Sequence, residues 1–164
     1  MPTLKDINIH GWLADINDNF DDLQPVIGGD ADGLGVLRVA RATFDLAVAA
    51  NRTVAAHASD VELPAQALVV GGFMEVNTAL TGEENATLAV SILNANDIQT
   101  AAAVAGAPWS TTGRKAIVPK ANTPESTSIK LTAAKKITFT VGTAALLTGK
   151  VTVYLYYVEG AATA

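Results

Sequence analysis

Residues 63–93, LPAQALVVGGFMEVNTALTGEENATLAVSIL, restrict this chain more than any other stretch. Every second residue from Leu68, namely Leu68, Val70, Gly72, Met74 and Val76, falls in one row, while the intervening row carries Glu75 and Asn77. A two-residue period puts successive side chains on opposite faces, so the stretch predicts a strand with one buried face. The polar run Thr81-Gly82-Glu83-Glu84-Asn85 predicts a reversal, after which Leu88, Val90 and Ile92 alternate with Thr87, Ala89 and Ser91. The two strands read as a hairpin whose apolar sides lie together and need a second sheet over them. A β-sandwich is therefore the expected class.

The rest of the body supplies that cover. Ala40, Ala42, Phe44, Leu46 and Val48 alternate with Arg41, Thr43, Asp45 and Ala47, then Ala50-Asn51-Arg52 turns the chain and 53–58 predicts a weaker strand. Asn94-Ala95-Asn96-Asp97 reads as a cap, and the Ala-rich run from Ile98 to Ala105 as a short helical crossover ended by Gly106 and Pro108. Trp109 follows in a loop, either plugging the end of the sandwich or meeting a neighbour. Residues 115–118 and 128–131 predict short strands on either side of the polar, Pro-containing loop 119–127. Ile137, Phe139 and Val141 alternate with Thr138 and Thr140; Val151, Val153, Leu155 and Tyr157 alternate with Thr152, Tyr154, Tyr156 and Val158. The last strand thus has two apolar faces. It is either central in its sheet or covered on its outer side by another subunit, and Tyr154 and Tyr156 are the candidate subunit interface, with a packed core as the alternative.

The first 35 residues form an arm of different character, and the domain division predicted is 1–35 for the arm and 36–164 for the body. Ile9, Trp12, Leu13, Ile16, Phe20 and Leu23 recur at three- and four-residue steps, which predicts an amphipathic helix over about 8–24, with Asn8 as cap and Pro25 near its end. Asp15, Asp18, Asp21 and Asp22 lie away from that stripe. Trp12 and Phe20 draw on a chain with only two Trp and four Phe, so they need burial, either on their own sandwich or in a neighbouring subunit or partner. Residues 27–35, IGGDADGLG, read as a Gly-rich linker. Charge follows the same division: residues 1–33 carry seven Asp against Lys5, a net −6, while residues 34–164 carry nine acids and ten bases. An acidic arm on a balanced body has no basic face for phosphate, so nucleic acid is not expected as partner; the charge of the arm reads first as simple solubility, with docking on a basic protein surface as the alternative.

Chemistry-bearing patterns fail one by one. Asp15-Ile16-Asn17-Asp18-Asn19 begins like a calcium loop, but Phe20 stands where the turn needs Gly and Val26 where it needs a closing Glu; Asp30-Ala31-Asp32-Gly33 lacks the closing acid too. Gly33-Leu34-Gly35 has no third Gly for a dinucleotide loop. His10 and His57 are the only histidines and neither sits beside a nucleophile, while Glu83 and Glu84 fall on a turn with no cleft implied. With no Cys, thiol nucleophiles, disulfides and thiolate metal sites are all removed. No catalytic residue, cofactor or metal is expected. Asn51-Arg52-Thr53 and Asn85-Ala86-Thr87 match the glycosylation pattern, yet no secretory leader is recognisable, so they read as chance. No run of about 18 apolar residues predicts a membrane span.

The order of several phrases carries a resemblance. VVGGFMEVNTALTGEENATLAVSI, the Ala-rich run, APWSTTGRKAIVP and IKLTAAKKITFTVGTAALLTGKVTVYLYYV, together about residues 40–158, resemble virion structural proteins of tailed bacteriophages, close to head decoration (cement) proteins. INDNFDDL resembles the short helical openings of phage structural proteins. The resemblance implies a jelly-roll-like β-sandwich behind an arm, and a homotrimer on the outer surface of the virion head that ties major capsid proteins together. It implies that the arm, through Trp12, Leu13, Ile16, Phe20, Asp18, Asp21 and Asp22, reaches the shell. A receptor- or glycan-binding module of a head or tail fibre, using the loops at Glu83 and 119–127, is the alternative.

Overall fold

The computed structural model describes residues 36–117, 119 and 128–159. The expected helix over 8–24, the linker 27–35 and most of the loop 119–127 lie outside them. Eight strands carry the described fold: β1 (Leu37–Asp45), β2 (Ala56–Leu63), β3 (Ala67–Gly82), β4 (Thr87–Ser91), β5 (Gln99–Ala103), β6 (Gly113–Ala116), β7 (Lys135–Gly142) and β8 (Leu146–Glu159). They form two four-stranded antiparallel sheets, a front sheet ordered β1-β8-β3-β6 and a back sheet ordered β2-β7-β4-β5. Every connection crosses between the sheets except the one from β4 to β5. An eight-stranded double sheet wound in this way is a jelly roll.

This topology corrects two expectations. The stretch 63–93 is not a hairpin, because β3 belongs to the front sheet and β4 to the back sheet. Their apolar rows face each other across the core instead of lying side by side, an arrangement with the same alternation. The Ala-rich run is not a helix either: β5 pairs with β4 through Thr87↔Ala103 and Leu88↔Ala102. A helix that short gains few internal bonds for its nucleation cost, whereas the open edge of β4 offers a ladder at once.

Strand limits shift for similar reasons. β1 ends at Asp45 and Val48 is exposed, since a 3-10 helix at Ala49–Arg52 follows. That connection is held by Asn51 Nδ2 donating to the Asp45 carbonyl (2.9 Å) and Arg52 Nε donating to the Leu46 carbonyl (2.7 Å). β2 consequently starts only at Ala56. Residues 128–131 make one bridge, Leu68↔Lys130, rather than a strand. In β3 the buried residues are Ala67 and Val69 at one end, Met74 and Val76 in the middle and Leu80 near the other end, so Leu68 and Val70 do not share the core-facing row predicted for them. A register shift between Val69 and Gly71 moves the row by one residue.

The core lies between the sheets. Phe44 of β1 stacks on Phe139 of β7, ring centroids 4.7 Å apart, and Leu88, Val90, Ile137, Val151, Val153 and Leu155 are fully buried around them. Trp109 is also fully buried and belongs to this core, so the loop tryptophan is a plug. Its carbonyl accepts from Leu80 N–H (3.0 Å) near the end of β3.

The β4–β5 turn is organised by Asp97, only 4% exposed, whose carboxylate accepts from Ile92 N–H (2.9 Å), Leu93 N–H (3.0 Å) and Asn94 N–H (2.9 Å). It closes a turn from behind and does not cap a helix. Charged hydrogen bonds of this kind are individually strong and their loss strands buried donors, so Asp97→Ala is expected to lower the unfolding free energy by about 3 kcal/mol. Urea denaturation checks it; a loss below about 1 kcal/mol would show that the turn holds without the carboxylate.

Candidate assembly interface

The outer face of the front sheet is where the unusual side chains gather. Core-facing residues of β1 are Ala40, Ala42 and Phe44, so Val39, Arg41 and Thr43 point outward, and the register places them opposite Tyr156, Tyr154 and Thr152 of β8. On the other side of β8, Tyr156 meets Gly71, Tyr154 meets Phe73 and Thr152 meets Glu75, and β6 brings Ala116 and Arg114 opposite Phe73 and Glu75. Four strands thereby assemble one transverse ladder. Arg41 lies over the Tyr154 ring at 5.9 Å, Tyr154 stacks on Phe73 at 4.5 Å with planes 13° apart, and Arg114 lies over the Phe73 ring at 4.9 Å. Tyr156 tilts against Phe73 at 6.1 Å. Cation–π attraction holds each guanidinium against a ring face and leaves its outward N–H groups available.

The two rows beside the ladder differ. Towards the start of β1 lie Val39, 55% exposed, and Leu37, 57% exposed. Towards its end the face is polar: Thr152 Oγ1 donates to Asn77 Oδ1 (2.9 Å) and bonds with Thr43 Oγ1 (3.2 Å). The ends of the sheet are neutralised by ion pairs, Arg38 Nε with Glu159 at 3.2 Å and Lys150 Nζ with Asp45 at 3.0 Å. A hydrogen bond from Ala47 N–H, then the Lys150 contact, hold the Asp45 carboxyl below its usual pKa. Arg41 and Arg114 have no ion pair among the described residues.

Of the expected site residues, Tyr154 and Tyr156 are both here, half-buried on the central strand of the sheet. Trp12, Leu13, Ile16, Phe20, Asp18, Asp21 and Asp22 lie outside the described residues. Sequence reasoning missed Phe73, Arg41 and Arg114. Each falls in the outward row of its own strand, which was the available signal, but nothing local says that the three rows align.

The remaining candidates do not assemble into chemistry. His57 Nε2 bonds the Thr53 carbonyl (2.9 Å) and its ring tilts against Phe44 at 5.6 Å, so it packs the β1–β2 junction. Glu75 sits mid-strand while Glu83 and Glu84 lie beyond the end of β3, about 25 Å along the strand from it. Among the described residues no three His, Asp or Glu side chains could hold a metal ion.

The fold defines the class: an eight-stranded jelly roll whose front sheet carries an aromatic and cationic outer face. Among solved structures the chain is similar to a chain of the capsid asymmetric unit of cyanophage Pam1, with 19% identity, TM-score 0.55, and 77% of this chain and 87% of that chain covered. It is similar to a chain of the acidic stable capsid structure of Helicobacter pylori bacteriophage KHP30 (15% identity, TM-score 0.54, 78% and 91% covered) and to one of the capsid of Ralstonia phage GP4 (16%, 0.53, 79% and 88%). At these identities the likeness is one of fold. No protein-family model and no curated protein sequence matches the chain.

Proposed function

We propose that this protein is a capsid decoration (cement) protein, a homotrimer that sits on the outside of a phage head and ties neighbouring major capsid proteins together. The observation that carries the reading is the jelly roll shared with chains of three phage capsids over 77% to 79% of this chain and most of theirs. The contact face on the front sheet and the acidic, aromatic arm agree with a protein that works by gripping neighbours. A trimer gripping several subunits at once gains by multivalency, so modest contacts suffice for firm attachment. Binding only the assembled shell stabilises that shell by mass action.

Heads prepared without the protein and then mixed with it provide the test. Saturable binding at high copy number around three-fold positions, with heads that survive higher temperature, is the expected result. No binding to heads, or a few copies confined to the tail or fibres, would overturn the assignment in favour of a receptor- or glycan-binding role.

A further inference from the structure

Arg41, Tyr154, Phe73 and Arg114 together have the electrostatics of a carboxylate receptor. Arg41 from β1 and Phe73 from β3 cover opposite faces of the Tyr154 ring, and Tyr154 from β8 and Arg114 from β6 cover those of Phe73. The negative ring faces, which would stack on a sugar, are thereby taken, and a partner meets the positive ring edges. The outward N–H groups of the two guanidiniums add to the same sign. Neither arginine has an ion pair among the described residues, and Glu75, opposite Arg114 in the register, forms no salt bridge with it.

A matching pair of carboxylates stands elsewhere on the same chain. Among the other described acids, Asp45 and Glu159 are ion-paired, Asp97 is buried in its turn, and Glu62, two residues from Asp60, lies opposite Lys136. Glu83 and Glu84 have no ion pair among the described residues, and both are exposed on the turn between β3 and β4. Glu83 N–H donates to the Ala145 carbonyl (2.9 Å) and Ala86 N–H to the Glu83 carbonyl (3.1 Å), which fixes the backbone that presents them. Exposed Leu147, next to the Leu146↔Gly82 pair, gives this tip an aliphatic neighbour, as exposed Val39 does for Arg41. We propose that the Glu83-Glu84 tip of one copy docks on the front sheet of the next, its carboxylates seated over the Tyr154–Phe73 stack between the two guanidiniums. The inference rests on the trimeric reading above and assigns its contact. The tip lies about 30 Å along β3 from Phe73, so a single copy gives its own tip and receives another's at the same time. That separation of the two surfaces is what a head-to-tail ring requires.

The test needs no capsid. The parent, the reversal Arg41→Glu with Arg114→Glu, the reversal Glu83→Lys with Glu84→Lys, and the four changes together are compared by light scattering after size exclusion. We expect each double reversal to self-associate at least about tenfold more weakly, with unchanged circular dichroism, and the four changes together to restore the association. Either double reversal associating like the parent overturns the proposal, and a parent that is monomeric overturns it together with the trimeric reading. Because the chain has no Cys, Val39→Cys and Glu84→Cys proteins, made separately and treated with a short bis-maleimide, add a second readout. Coupling that appears when the two are mixed supports the proposal, whereas Val39→Cys protein coupling only to itself would mean that face meets face and overturns it. Parent protein that fails to bind heads while its association still depends on these four charges would overturn the decoration role alone.

Discussion

Gly149→Ala is expected to destabilise the protein by about 4 kcal/mol and to lower its melting temperature by about 10 °C. Between the pairs Thr78↔Lys150 and Thr81↔Thr148, β3 has two residues, Ala79 and Leu80, where β8 has only Gly149. The bulge presses Leu80 onto the glycine, so an added Cβ would stand 2.7 Å from Leu80 Cα and 3.0 Å from the Ala79 carbonyl oxygen. Gly149 also has φ +129°, where an L side chain is strained whatever the space. The two penalties are separate: strain of about 1–3 kcal/mol, and displacement of backbone of about the same size. Its carbonyl accepts from Leu46 N–H (3.0 Å), so backbone movement here would be felt at the start of the β1–β2 connection. Gly106→Ala is the control, since its Cβ would meet nothing closer than the Ala103 carbonyl at 3.7 Å. Urea denaturation of both variants decides it: a Gly149→Ala midpoint equal to that of the control would mean the bulge is not what holds β3 to β8.

Trp109→Ala is expected to cost a similar amount, about 3–5 kcal/mol, because it empties the largest fully buried side-chain site. The tryptophan sits in the β5–β6 connection, and its backbone is tied on both sides, Trp109 N–H to the Gly106 carbonyl and Leu80 N–H to the Trp109 carbonyl, each 3.0 Å. The frame therefore resists collapsing into the space, which is the condition for a high cavity cost. Trp109→Phe is expected to cost only about 1–2 kcal/mol. It keeps most of the apolar volume and removes the indole Nε1–H, which is buried without an acceptor among the described residues. Fluorescence-monitored denaturation in a Trp12→Phe background isolates Trp109 for the parent and circular dichroism follows the variants; Trp109→Ala as stable as Trp109→Phe would sink the plug.

Where alternation was long and clean, the strands were legible. Ile137, Phe139 and Val141, and Val151, Val153 and Leu155, are buried as their period requires. Tyr154 and Tyr156 could be picked out because a strand apolar on both faces must be central or covered, and β8 is central with β1 and β3 on its flanks. The Ala-rich run misled because alanine favours helix in isolation, while the free edge of β4 decided otherwise. Asp97 looked like a helix cap for the same local reason and instead gathers three N–H groups of the turn before it. Val70 fell on the wrong face because a bulge leaves no mark in a hydrophobic pattern.

Composition and period alone determined that the body is a sandwich of strands, that the arm is acidic and the body balanced, and that no familiar catalytic motif is present. Tertiary structure decided which sheet each strand joins, and so that β3 and β4 face one another across the core. It alone brought Arg41 and Phe73 opposite Tyr154 and set Arg114, from the neighbouring row of β6, over the Phe73 ring. Alternation records only whether a side chain faces the core or the solvent. Which outward side chains become neighbours depends on the register between strands distant in the chain, and that register is set by the packing of the whole core.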